Sequence, residues 1–366
     1  MRAGRAVLAS MTAATLLAGL LAGLQRLGLE AAFVPGTDLL GPHHGALMVS
    51  GFFGTVIGFE RAAALERGWV WAAPTLTVAG AWGLVFALAP PVPEILFLLG
   101  SLVFLAGAIL ALRRRPGLDT AALAAAAAAW PAGIIAWIAT GLILPAVPAW
   151  ATFLILTIAG ERVELSRFLP PHPARGPAAA LVAVALLAGG LAAAAGIADG
   201  IALFSLGLLG LTLWLFRFDV IRHTLRQRGL PRYSAVCLAG GYLWLGFAGA
   251  IGLTFGLPDG GPVYDALLHS LFVGFVFAMV FGHMPIILPA LLGIGSPYHP
   301  VLYLPLLLLQ TSLLARVAGD LAGLDGLRLT GGTLNGVSIL LFLGTTAVIV
   351  IRRRPHRRLD PGRGLE

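Results

Sequence analysis

The sequence predicts an all-α fold: a polytopic integral membrane bundle of twelve transmembrane helices with both termini cytoplasmic. Three observations carry that expectation. Of 366 residues, 58% are hydrophobic and only 11% are charged, whereas a soluble domain carries about 25% charged residues. The apolar residues fall into runs of roughly 18–25, the length that crosses ~30 Å of hydrocarbon. The basic residues are all arginine and lie in the short connections between those runs, mostly on one side.

The runs occupy 6–25, 44–64, 69–89, 93–112, 119–141, 148–166, 176–197, 200–217, 233–256, 265–290, 300–319 and 334–351. The first follows Arg2 and Arg5 as a signal peptide would, but its apolar stretch is too long for an ordinary signal core, so it reads as a helix. Abundant Gly (48) and Pro (24) suit packed transmembrane helices. The single cysteine, Cys237, sits inside an apolar run, which excludes disulfides and thiolate metal sites.

Alternating the runs across the bilayer puts all but three of the 24 arginines on one side; Arg26, Arg316 and Arg328 lie toward the other. By the positive-inside rule the arginine-rich side is cytoplasmic. The net charge of +8 is then a matter of topology and not of nucleic acid. The expected organisation is one transmembrane domain over 1–366, with short cytoplasmic tails at 1–5 and 353–366, in a bacterial inner (plasma) membrane. The lipid bilayer is the implied partner.

A short internal repetition accompanies the twelve runs. Ile57-Gly58-Phe59-Glu60-Arg61 ends the second run, Ile158-Ala159-Gly160-Glu161-Arg162 ends the sixth, and Phe281-Gly282-His283-Met284 holds the similar place in the tenth. Three four-helix units, or arcs, are compatible with that spacing.

Two runs carry histidine where hydrocarbon is expected. Pro42-His43-His44-Gly45-Ala46-Leu47-Met48 opens the second, and Leu268-His269-Ser270-Leu271-Phe272-Val273-Gly274-Phe275 lies in the tenth. An intramembrane imidazole is costly unless something binds it, so it marks a functional site. Both runs travel from outside to inside, which places His44 and His269 at similar outer depth. Two neutral imidazoles from facing helices suit haem ligation; interfacial histidines hydrogen-bonded to their neighbours are the equal alternative. His43 points about 100° away from His44 on a helix, so only one of the two should face the tenth run. Gly45, Gly51, Gly54 and Gly274 would leave room for a flat macrocycle, and Phe52, Phe53, Phe272 and Phe275 would pack its faces.

Arg316 and Arg328 lie near the same outer site. They read either as partners for carboxylates of the bound group or as local salt bridges, Arg316 with Asp320 and Arg328 with Asp325. Near the inner face, Glu60, Arg61, Glu161, Arg162 and His283 form a second polar layer. It reads as buried ion pairs, a proton relay or a second metal site at His283.

Twelve helices with both termini inside, His-Gly-x-Leu-Met opening the second and a histidine in the outer half of the tenth resemble the haem–copper oxidase catalytic subunit. The His-x-x-x-Val-Gly-Phe style of the tenth helix resembles the NnrS family within that superfamily. The resemblance implies three four-helix arcs, a b-type haem on His44 and His269, and arginines between helices 11 and 12 on its propionates. It further implies a link to denitrification or nitric oxide handling. The oxidases place copper-binding histidines on helices 6 and 7, and the corresponding runs contain none, which disfavours oxygen or nitric oxide reduction. The expectation is therefore a membrane cytochrome b-like protein for electron transfer or nitric oxide handling, with a small electron-transfer protein or a quinone as partner. A proton-coupled secondary transporter using Glu60, Glu161 and His283 and a sensor or assembly factor handling haem transiently are the rivals.

Overall fold

The computed structural model describes residues 2–29, 40–292 and 295–352. The tail 353–366 lies outside the described residues, as does the start of the loop before the second run. Every regular element among the described residues is helical. The principal helices are α1 (Arg2–Arg26), α2 (Gly41–Leu65), α3 (Ala72–Val85), α4 (Val92–Arg114), α5 (Leu118–Thr140), α6 (Leu144–Ser166), α7 (Arg175–Ala194), α8 (Gly200–Phe218), α9 (Leu230–Phe255), α10 (Gly261–Pro289), α11 (Pro300–Ala322) and α12 (Asp325–Arg352).

Eleven helices among the described residues are long and apolar enough to cross a membrane. Helix α3 is shorter: a 3₁₀ turn at Gly68–Trp71 precedes it, so the run expected over 69–89 is divided. Its C-terminal end is closed by Ala87 at φ 51° and by the Leu88 N–H donating to the Gly83 carbonyl at 2.9 Å, a left-handed cap. The chain is thus a multi-pass membrane protein. Its outer surface agrees with that reading, because Leu181, Leu213 and Leu243 are each about 70% exposed on helices whose other faces are buried, and such aliphatic surface is stable only against lipid or a partner.

Neighbours in sequence pack against one another: α4 on α5, α5 on α6, α7 on α8 and α11 on α12. Longer-range packing builds the interior. Helix α1 lies against α2 and α3 and touches α12, while α9 packs on α8 and α10. Helix α6, the most enclosed, touches both α2 and α10. Ring contacts join the latter two directly, since Phe277 stacks near Phe52 at 6.3 Å and meets Phe53 edge-on at 5.2 Å.

Helices α2 and α10 share an irregularity. Each changes to π-helical hydrogen bonding soon after its histidine, over Leu47–Phe53 in α2 and Ser270–Phe277 in α10. The wider turn rotates the side chains that follow relative to the histidine, and such segments are concentrated at functional sites.

Candidate functional site

At the end of the bundle remote from Arg61 and Arg162, a cleft of about 1380 Å³, part of it open solvent, lies between α1, α2, α6, α10, α11 and α12. His44, His269, Arg316 and Arg328 all line it. Four residues from four helices, separated in sequence by up to hundreds of positions, therefore share one wall system.

Each histidine is held by one nitrogen. His44 Nδ1 lies 2.8 Å from the Gly19 carbonyl of α1, and His269 Nδ1 lies 2.8 Å from the Asp265 carbonyl one turn earlier in α10. A carbonyl oxygen only accepts, so both rings carry their proton on Nδ1. In the neutral ring Nε2 then keeps its lone pair, the state in which imidazole ligates a metal. Space beside His44 is preserved by Gly23: a Cβ there would stand 2.8 Å from His44 Cε1. His43 does not line the cleft; its buried Nδ1 has no hydrogen-bond partner. Of the two adjacent histidines, His44 is the one that shares the cleft wall with His269.

The expected local salt bridges are replaced by longer connections. Arg316 donates Nε and Nη2 to the two carboxylate oxygens of Asp265, at 2.9 and 3.0 Å, instead of pairing with Asp320. Arg328 Nε lies 3.0 Å from Asp320 Oδ1, instead of serving Asp325. Asp265 is the residue that sequence reasoning missed. Its carboxylate also stands 3.2 Å from His269 Nδ1, so it joins the histidine to the arginine. The i,i+4 spacing of Asp265 and His269 was the available signal. Arg26, also at the cleft, forms no ion pair among the described residues.

Several residues expected at the cleft belong elsewhere. A Cβ at Gly54 would meet the Trp130 ring at 2.3 Å, one at Gly274 would meet Trp244 at 2.5 Å, and one at Gly51 would meet Ala81 and Thr15 at 3.0 Å. These three glycines admit neighbouring side chains and do not clear the cleft; of the four, only Gly45 lines it. Phe53 and Phe272 line it as expected, joined by Phe277, whereas Phe275 is fully buried toward Tyr242 and Phe52 packs on its ring neighbours.

The inner polar residues form a chain of contacts across the three helices that carry the repeated motif. Arg61 of α2 donates to Glu161 of α6 at 2.7 Å. Arg162 of α6 bonds His283 Nε2 of α10 at 2.7 Å, and His283 Nδ1 donates to the Met279 carbonyl at 2.7 Å. Each arginine thus reaches the residue just before the corresponding position in the next motif. The His283 lone pair is used by a guanidinium, which opposes its use for a metal. Glu60 makes no ion pair among the described residues. Arg162 also lies 4.0 Å from Asp219, just beyond the end of α8. Burial raises the Asp219 carboxyl above the usual range, more than Arg162 and a bond from the Ile221 N–H lower it.

With this geometry in view, a family model described as "Domain of unknown function (DUF8744)" matches residues 5–351. The chain belongs to that family. A comparison with curated proteins gives no match. The match spans α1 to the last turn of α12, so the histidine helices and the arginine pair of this DUF8744 chain lie wholly within the family's domain.

Proposed function

We propose that the chain is a bis-histidine haem protein of the membrane, with twelve segments in three arcs and both termini cytoplasmic. Its role in that reading is electron transfer or nitric oxide handling in a bacterial inner membrane. One observation carries the proposal: two histidines on α2 and α10 line one cleft, each with Nδ1 held by a carbonyl, which leaves Nε2 of a neutral ring as the ligating atom.

The residues fit the group in further respects. No cluster of three or more His, Cys, Asp or Glu side chains suited to a bare metal ion is found among the described residues, whereas a macrocycle supplies the other ligands itself and needs only two axial ones. Gly23 leaves room for the His44 ring beside α1. Haem bound there would supply reversible one-electron chemistry.

The chain's own residues would do the rest. His44 and His269 would hold the iron, and Asp265 would keep the His269 ring oriented and its Nε2 basic. Arg26 and Arg328 at the cleft would meet carboxylates of the group, with Arg316 anchored behind them by Asp265. Phe53, Phe272 and Phe277 would exclude water from its faces. A small electron-transfer protein or a quinone would be the redox partner.

Titration of purified apoprotein with ferric haem tests this reading. A low-spin six-coordinate spectrum is expected for the wild type, with loss of one axial bond in H44A and in H269A. Spectra unaffected by both substitutions would defeat it. The transporter reading is served less well, because Glu161 and His283 are already bonded to Arg61 and Arg162.

A further inference from the structure

A second cleft, of about 990 Å³ including open solvent, lies at the opposite, arginine-rich end of the bundle. It is independent of the haem reading. Its walls come from α2, α4, the start of α3 and the start of α5 and are largely apolar, with Ala62, Leu65, Phe104, Gly107, Ala108 and Leu123 among them. Its rim is cationic, formed by Arg61, Arg114 and Arg115, with Glu164 beside them.

The rim charges are unequal in their commitments. Arg115 pairs with Asp119 and stands 3.3 Å from Glu164. Arg61 pairs with Glu161 through Nη2, yet its Nε is buried without a hydrogen-bond partner. Arg114 is exposed and forms no ion pair among the described residues. An occupant must therefore offer hydrocarbon to the walls and oxyanion oxygens to the rim. A neutral headgroup would leave the buried Arg61 Nε unanswered, and a soluble anion would leave the walls bare. Guanidinium meets phosphate oxygens with matched geometry, and basic pockets between transmembrane helices on the cytoplasmic side hold anionic lipid headgroups.

We propose that this cleft binds an anionic phospholipid, one acyl chain lying between α2 and α4 and the phosphate resting on Arg114 and Arg61. The lipid would pack into the seam where Leu65 of α2 approaches Gly107 of α4, and it would tie the arginine-rich rim to the leaflet.

Native mass spectrometry of the full chain in detergent, titrated with dioleoylphosphatidylglycerol or dioleoylphosphatidylcholine, tests the proposal. Preferential retention of phosphatidylglycerol is expected. R114Q should weaken it about fivefold, the effect of one basic residue near a lipid surface. R113Q, which removes an adjacent exposed arginine outside the cleft, should change it little. A108L should abolish retention while leaving the rim arginines in place, with size-exclusion behaviour confirming that all three variants are folded. Equal losses in R113Q and R114Q would reduce the effect to surface charge and overturn the site. So would retention that survives A108L, competition by inorganic phosphate alone, or a preference for decylubiquinone over the lipid.

Discussion

The Asp265 carboxylate lies 3.2 Å from His269 Nδ1 and, through its two oxygens, receives Nε and Nη2 of Arg316 at 2.9 and 3.0 Å. One side chain therefore stands beside a candidate iron ligand, whose Nδ1 the Asp265 backbone carbonyl also holds, and neutralises a guanidinium that is only 8% exposed. D265A should disturb both roles. Loss of one partner of a buried ion pair costs about 3–5 kcal/mol, and loss of a residue behind a metal ligand costs about 10–100-fold in affinity. D265N should preserve more stability and, by removing a negative charge from behind His269, raise the haem midpoint potential. A redox titration showing no shift in D265N would detach Asp265 from the ligand.

Gly23 offers a steric test. G23L should displace the His44 ring, because even a Cβ would stand 2.8 Å from Cε1. Haem retention should fall sharply with thermal stability little altered. G4L on the same helix, where nothing lies within 4 Å of an added Cβ, is the control and should leave retention unchanged. Comparable losses in the two variants would point to a general defect of α1.

The cleft arginines should separate by their commitments. Arg26 has no ion pair among the described residues, so R26Q should weaken haem retention without lowering Tm. R316Q should lower both, since it strands Asp265. Haem content and Tm measured together on the two variants check this; a Tm loss in R26Q equal to that in R316Q would contradict it.

Much of this site was legible in the sequence and part was not. His44 and His269 could be brought together because alternating runs fix depth, whereas the 100° step per residue allowed only one of His43 and His44 to face α10 without saying which. The wall residues were less readable. Gly54 and Gly274 look like cleared space in a linear sequence, yet they admit Trp130 and Trp244 from other helices, which periodicity cannot reveal. Gly23 matters only because α1 packs on α2. The π-helical turns after both histidines have no composition signal, and in α10 the turn runs through the stretch from which Phe272 and Phe277 line the cleft and Phe275 does not. Arg316 was paired in sequence with the nearest acid at i,i+4, whereas the acid it meets, Asp265, lies on another helix.

The inner layer gives a pH test. Arg162 and Asp219 are 6% and 0% exposed, so R162A should destabilise by about 3–5 kcal/mol. E161Q, in a pair exposed by about a quarter, should cost no more than about 1 kcal/mol. The Asp219 carboxyl is raised in the folded protein, so the folded state binds the extra proton. Its contribution to stability is present below the unfolded carboxyl value of about 3.9 and is lost as pH rises through the folded value. D219N should remove that part of the pH dependence of Tm; parallel Tm profiles for wild type and D219N would show that Asp219 does not titrate in the fold.

The most direct test of the central claim is the haem-to-protein ratio of the chain purified from cells supplied with haem precursor, read by pyridine haemochrome absorbance against amino-acid analysis. The account predicts about one b-type haem per chain, low-spin and six-coordinate, falling to near zero in the H44A/H269A double variant. Wild-type protein that is folded, monodisperse and free of visible absorbance, or one whose ratio is unchanged in the double variant, would contradict it.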